Sequence, residues 1–263
     1  MTQTVIDMQG KKAIVFGIAN KRSIAWGVTQ ALHAGGAKLT LAYQGERFLR
    51  AIEKLLADEG IEDALLVECD VTEEGAIDRV FDQHMERWGD LHQVVHSVAF
   101  ARREELEGDF TETSSDGFKM ALEISAYSLI PMARMAKKHM GEEGGSIIAM
   151  TYLASQRVVA NYNVMGSAKA ALEHVVRQLA FELGPHNIRV NAVSAGPLQT
   201  VSARGVANFN DMYRSYAEKT PLRRNVTLEE VANTSAFLLS DLSTGITGQI
   251  LFVDTGFSIL AAV

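Results

Sequence analysis

The sequence has one cysteine, Cys69, among 263 residues. No internal disulfide can form, which excludes a disulfide-stapled secreted scaffold and suits a reducing compartment. Prolines number 4 and hydrophobic residues reach 47%. That balance excludes a proline-rich or disordered chain and leaves a packed globular one. No apolar run approaches the ~18 residues of a membrane span. The opening MTQTVIDMQGKK lacks the apolar core of a signal peptide. No block of Lys or Arg stands out, and the net charge is −7. Nucleic acid and anionic membranes are therefore not expected partners. No metal is expected, and a soluble cytoplasmic protein is.

What the chain does contain is an alternation. Short β-branched runs lie at 12–17, 38–43, 64–68, 93–99, 146–150, 188–193 and 249–254. Helical patterns fill the gaps at 23–34, 46–58, 73–88, 113–140, 162–184 and 228–240. Near-continuous apolar strands separated by helices read as a parallel sheet covered on both faces. Right-handed crossovers make it a doubly wound α/β fold of about seven strands, Rossmann-like. Pro131 falls inside the 113–140 pattern and is expected to kink or interrupt that helix. No linker or repeat appears, so 1–263 reads as one domain. The least regular stretch, 196–227, is expected to be a lid or substrate loop, or else a solvated helical insertion.

Open α/β sheets bind ligands at the carboxyl ends of their strands. The first turn, VFGIANKRSIAWG, is neither G-x-G-x-x-G nor a P-loop. Gly17 leaves the strand, and Ser23 can cap the helix and offer its hydroxyl to a phosphate. Ile24 and Gly27 let the helix start sit close to the strand. Gln44 follows the second strand, where a dinucleotide's adenosine ribose would lie. A neutral Gln44 followed by Gly45 favours NADH over NADPH, with Arg47 the residue that leaves the choice open. Asp70 can bond the adenine amino group or simply close a turn. HSVAFA (96–101) ends the fourth strand with small residues, as a close ribose requires.

NYNVMGSAKAALE (161–173) sets Tyr162 and Lys169 seven positions apart. On a helix such a pair shares a face to within about 20°, and the lysine leans back toward the tyrosine. A small molecule along that face touches both. Equally, a helix can hold one buried tyrosine and one snorkelling lysine by chance.

The stretches SIAWG, CDV, HSVAFA, TYLASQRVVANYNVMGSAKAALE, IRVNAVSAGPLQT, PLRRNVT and SDLSTGITGQILFVDTGFSI run from the first strand to the C-terminus. Together they resemble a divergent short-chain dehydrogenase/reductase, and more closely the NADH-dependent enoyl-acyl carrier protein reductases of bacterial fatty acid synthesis. Ordinary members of the superfamily carry Y-x3-K; the residue four after Tyr162 here is Gly166. Y-x6-K with a second tyrosine ten residues upstream, Tyr152, is the enoyl reductase pattern.

The resemblance implies roles. Tyr162 would hydrogen-bond the substrate thioester carbonyl, Tyr152 would be the second site tyrosine, and Lys169 would hold the nicotinamide ribose. Gly17, Ser23 and Ile24 would hold the pyrophosphate end of NADH. Gln44, Asp70 and Val71 would line the adenosine, and Ser97 and Val98 the ribose region. Leu198 and Thr200 would hold the carboxamide and a phosphate, and Ala101 would face the acyl substrate. The substrate would be an enoyl chain on acyl carrier protein, and the assembly a homotetramer.

Two departures stand out. Ala99 replaces a glycine that many members carry. Ala207, Asn210 and Asp211 are not basic where some relatives place basic residues to meet the carrier, although Arg204 and Arg214 flank them. The rival readings are a ketone or 3-oxoacyl reductase of the same fold, which the missing Y-x3-K disfavours, and a silent NAD-binding regulator, which the intact Tyr152, Tyr162 and Lys169 disfavour.

Overall fold

The structure, a computed structural model, describes residues 6–200, 203 and 209–261. Seven strands form one sheet: β1 (Lys12–Phe16), β2 (Lys38–Tyr43), β3 (Ala64–Glu68), β4 (Gln93–His96), β5 (Gly145–Thr151), β6 (Ile188–Ala195) and β7 (Ile250–Val253). Their order is β3-β2-β1-β4-β5-β6-β7. Every pairing is parallel. The order reverses between β1 and β4, where Ile14 faces Thr40 on one side and Val94 on the other.

The strands are mostly apolar on both faces, without alternation, because both faces are covered. Ile14 and Phe16 point into one layer; Ala13 and Val15 point into the other. The first layer packs α3 (Ala76–Trp88), α5 (Leu129–His139) and α6 (Asn163–Leu183). The second packs α1 (Ile24–Ala34), α2 (Glu46–Glu59) and α8 (Leu228–Leu239). Gly27 brings α1 against α8: a Cβ there would lie 2.8 Å from the Leu228 side chain.

The interruption expected at Pro131 is present. Helical residues run as α4 (Ser115–Leu122), then a π turn (Glu123–Tyr127), then α5. Proline has no N–H, and its ring crowds the carbonyl four residues back, here Tyr127. The backbone widens instead, and Ser128 N donates to Glu123 O at 3.1 Å. The turn aims two serines at the end of β4. Phe100 N donates to Ser125 Oγ at 3.0 Å, and Ser128 Oγ lies 2.8 Å from His96 Nε2. β4 itself stops at His96, shorter than the expected 93–99, which frees 97–101 to line a cleft.

The segment 196–227 is partly helical, as the insertion reading allows, but the helix is not fully solvated. It holds α7 (Phe209–Lys219), with Phe209 and Tyr216 buried. Phe209, Met212, Tyr213 and Tyr216 recur at i, i+3, i+4 and i+7, an amphipathic helix period. Arg204, Gly205, Val206 and Ala207 lie outside the described residues.

Candidate active site

Every strand that faces the switch region contributes its carboxyl end. Gly17 follows β1 at φ +100°, and a Cβ there would sit 2.1 Å from Ser97 O. Only glycine lets the first turn press against the end of β4, where Ser97 N donates to Phe16 O at 3.2 Å. This is a cradle narrow enough for backbone to meet a pyrophosphate. The residues fit NADH in that respect.

Ser23 requires a correction. It stands at the N-cap of α1 but makes no side-chain cap bond. Its Oγ accepts from Ala19 N and Asn20 N, both at 3.0 Å. The lone pairs are spent closing the turn backward, so the hydroxyl proton is what remains to donate to an anion. Trp26 and Gly27 N–H groups bond Ser23 O. The preceding N–H groups, from Ile24 onward, open the helix without intrahelical partners. The Ile24 side chain packs on the core; what it can offer a phosphate is its backbone N–H.

At the other end, Gln44 Nε2 donates to Asp70 Oδ2 at 2.6 Å. Asp70 Oδ1 accepts from Thr72 N at 2.9 Å and Thr72 Oγ1 at 2.7 Å. Both openings left for Asp70 are thus visible: it closes a turn, and it stands beside Gln44. Burial pushes its carboxyl up, but the Thr72 and Gln44 bonds outweigh that and hold it below the ordinary value. Val71 and Val98 are half-buried against the core layer of α3, α5 and α6. Leu198 packs on the opposite layer. Thr200 N donates to Leu198 O at 2.7 Å, and Thr200 Oγ1 accepts from Ala203 N at 3.1 Å.

The tyrosine pair lies past β5. Tyr152 and Tyr162 rings meet edge to face, with centroids 5.0 Å apart at 61°. Tyr162 is not on the first helical turn, as the 162–184 reading had it, but at the N-cap of α6. Asn161 and Asn163 flank it at φ 61° and 30°, a left-handed region that asparagine tolerates. Lys169 is 5% exposed, and its Nζ donates to Met150 O at 2.8 Å. Burial lowers its pKa to about 8, against an upward pull from Glu173. Burial also raises both phenols, Tyr152 to about 12 and Tyr162 above it. Ala99, Ala101 and Tyr162 are packed around a small apolar cluster that includes Leu106, Val164 and Met165.

Beside Tyr152 a cavity of about 340 Å³ opens, lined by Val159, Met212, Tyr216, Phe257 and Leu260. Of its lining, sequence reasoning had singled out only Tyr152 as a site residue. It also passed over Glu173, a buried carboxylate on α6 whose signal was a charge one turn after Lys169 on the same inward face. Among the described residues no group of His, Cys, Asp and Glu could hold a metal, and no helix is long and apolar enough to cross a membrane.

A doubly wound parallel sheet with a glycine cradle at its switch point and a tyrosine–lysine pair after β5 defines a short-chain dehydrogenase/reductase. Within that class, the family described as enoyl-(acyl carrier protein) reductase matches residues 17–258, and the chain belongs to it. The Bacillus cereus enoyl-[acyl-carrier-protein] reductase [NADH] FabI is 50% identical, over 96% of this chain and 98% of its own. The Staphylococcus aureus (strain MRSA252) enoyl-[acyl-carrier-protein] reductase [NADPH] FabI is 49% identical over 96% and 98%. A crystal structure of the Bacillus cereus enoyl-acyl carrier protein reductase with NADP+ and indole naphthyridinone superposes with a TM-score of 0.94, at 49% identity, covering 98% of this chain and 100% of that one.

Proposed function

We infer that the chain is an NADH-dependent enoyl-acyl carrier protein reductase, reducing the trans-2 double bond of enoyl thioesters in fatty acid elongation. The observation that carries this is the contact of Tyr152 with Tyr162 at the end of the nucleotide cradle, with buried Lys169 on the same helix. Bound NADH supplies a hydride to the substrate's β-carbon. Gly17, Ser23 and the Ile24 N–H would hold its pyrophosphate, Gln44, Asp70 and Val71 its adenosine, and Ser97, Val98 and Lys169 its ribose. Leu198 and Thr200 would hold the carboxamide side.

The chain's own part is electrostatic. As the β-carbon gains a hydride, negative charge develops on the thioester oxygen. A protonated Tyr162 donates to that oxygen, and in a dry site such a donor contributes roughly 3 kcal/mol to the transition state. Its raised pKa keeps the proton in place at neutral pH. The Lys169 ammonium adds a cation nearby and fixes the cofactor's orientation. The α-carbon then takes a proton. Ala101 faces the acyl thioester, and the cavity beside Tyr152 receives its tail.

In this reading the chain acts in the cytoplasm as a homotetramer of single-domain subunits. Its substrate rides on acyl carrier protein, which docks near Arg214. That docking is weak in charge, since Asp211 lies 4.0 Å from Arg214 and Asn210 is neutral.

Loss of NADH absorbance with a short trans-2-enoyl thioester is the test. Turnover of that substrate and none of a 3-oxoacyl thioester is expected. The reverse result would make the chain a ketone reductase of the same fold.

A further inference from the structure

We propose that Glu173 is a positioning residue for this reaction, fixing the backbone that presents Tyr152 and anchors Lys169, and holding the lysine in its charged form. The proposal rests on the roles given above to those two side chains.

Glu173 is 3% exposed in the middle of α6. A carboxylate does not go there without partners, because burying an unpaired charge is costly. Among the described residues, its hydrogen-bond partners all come from one short segment. Oε1 accepts from Thr151 Oγ1 at 2.9 Å and from Ser155 Oγ at 2.5 Å; Oε2 accepts from Gln156 Nε2 at 3.5 Å. Tyr152 lies inside that segment, and Ser155 N donates back to Tyr152 O at 3.0 Å. The Tyr152 hydroxyl makes no hydrogen bond among the described residues. Its ring is therefore placed by the 151–156 backbone and by contact with Tyr162, and Glu173 is what ties that backbone to α6.

The same carboxylate governs the lysine anchor. Lys169 Nζ bonds Met150 O, the residue before Thr151. Holding Thr151 holds that carbonyl. Lys169 and Glu173 are one helical turn apart on α6, the spacing at which side chains share a face. They form no contact ion pair, so the carboxylate acts on the ammonium through its field. Among the described residues, His96 on β4 also feels the lysine's charge, and Tyr162, at the N-cap of α6, and Tyr152, after β5, are the phenols of the proposed site. Both phenols stay protonated, and His96, buried and pushed down to about 3, stays neutral. Among the described residues, Glu173 supplies the negative charge that offsets the desolvation of Lys169.

Charge and placement can be separated. Glu173→Gln keeps an acceptor oxygen and removes the charge. The alkaline limb of kcat/KM, and the pH at which NADH affinity falls, should both move down by about one unit, tenfold in the protonated lysine. Ser155→Ala keeps the charge and removes one bond to the carboxylate. It should lower kcat on the enoyl thioester several-fold, leaving the limb and the NADH Kd in place. Glu173→Asp should keep the limb near wild type while kcat falls. A folded Glu173→Gln protein with the wild-type limb and wild-type NADH affinity across pH overturns the electrostatic half. Unchanged kcat in both Ser155→Ala and Glu173→Asp overturns the placement half, even if the glutamine variant does not fold. Intact turnover and NADH affinity in Lys169→Ala would instead remove the role given to the lysine.

Discussion

A phenol exposed to water ionises near pH 10. Tyr162 is half-buried at the N-cap of the helix that carries Lys169, and burial raises its pKa further. In the proposed mechanism its hydroxyl is the donor to an oxygen that becomes negative only during reaction. An interaction made chiefly in the transition state raises kcat more than it tightens binding. Tyr162→Phe should lower kcat about 100-fold, the equivalent of roughly 3 kcal/mol, while NADH Kd stays within twofold. Lys169→Ala should weaken both. Wild-type kcat in the phenylalanine variant would transfer the donor role to Tyr152. Cofactor choice is likewise a matter of single residues, because relatives of near-equal identity are named for NADH and for NADPH. Gln44 is engaged with Asp70, an acidic neighbour unfavourable to a 2′-phosphate, and Glu46 pairs with Arg50. Higher kcat/KM with NADH than with NADPH is expected from steady-state rates. The opposite ratio would mean that exposed Arg47 reaches the phosphate.

Elements show what sequence periodicity can carry. Continuous apolar runs such as AIVF gave the strands, because a sheet covered on both faces allows no alternation. The Y-x6-K spacing fell on one helix, with Tyr162 at the N-cap of α6 and Lys169 buried within it, and Pro131 marked a real interruption. Less legible were features set by contacts across the fold. A π turn follows from Pro131 only once α5 is known to start before it. Ser23's hydroxyl turns back to Ala19 and Asn20, which no cap pattern distinguishes. The helix at 209–219 had a readable period, but its polar flanks resembled a loop. Glu173 looked like one more helix glutamate until its donors were placed. Gly166 belongs to this scale too. It occupies the position of the usual superfamily lysine, and a Cβ there would lie 3.0 Å from Ala154 O. The glycine thus lets the turn that follows Tyr152 lie on α6. Gly166→Ala should gain helix propensity, by about 1 kcal/mol at most, and push that turn away. The expected outcome is a Tm within a few degrees of wild type with kcat reduced several-fold. Unchanged kcat would show that the turn moves without carrying Tyr152.

At the scale of the whole molecule, two properties are distributed over many residues. The first is acid sensitivity. Buried His96 and His84 have folded pKa values pushed down to about 3 and about 4, each mainly by burial. Both bind a proton more readily when unfolded, near pH 6.5. Their neutral burial is therefore without penalty above that pH, and stability falls as pH drops from about 6.5 toward 4. For His96 alone the loss at pH 4 is on the order of 3 kcal/mol. Thermal melts should show Tm declining over that window, and less steeply in His96→Asn if that variant folds; a flat Tm would mean these rings are charged and paired in the folded state.

The second property is assembly. Phe181 on α6 is 83% exposed, next to the seam where Lys137 of α5 approaches Glu182 of α6. Tyr127, at the π turn of that same helical layer, is 54% exposed. At the far edge of the sheet, β7 is half-covered where the interior strands are mostly buried, and Phe252 is 36% exposed. An open apolar edge strand is a hazard unless something covers it. These are two separate faces, one on a helix layer and one at a sheet edge. If each pairs with its own copy about a two-fold axis, two different isologous contacts generate a tetramer rather than a dimer. Light scattering at micromolar concentration should return four times the chain mass. Phe181→Lys and Phe252→Lys should each reduce it to two chains, because each leaves the other contact intact. A single chain mass for the unmodified protein would overturn the assembly, and a tetramer unaffected by both substitutions would place its interfaces on other faces.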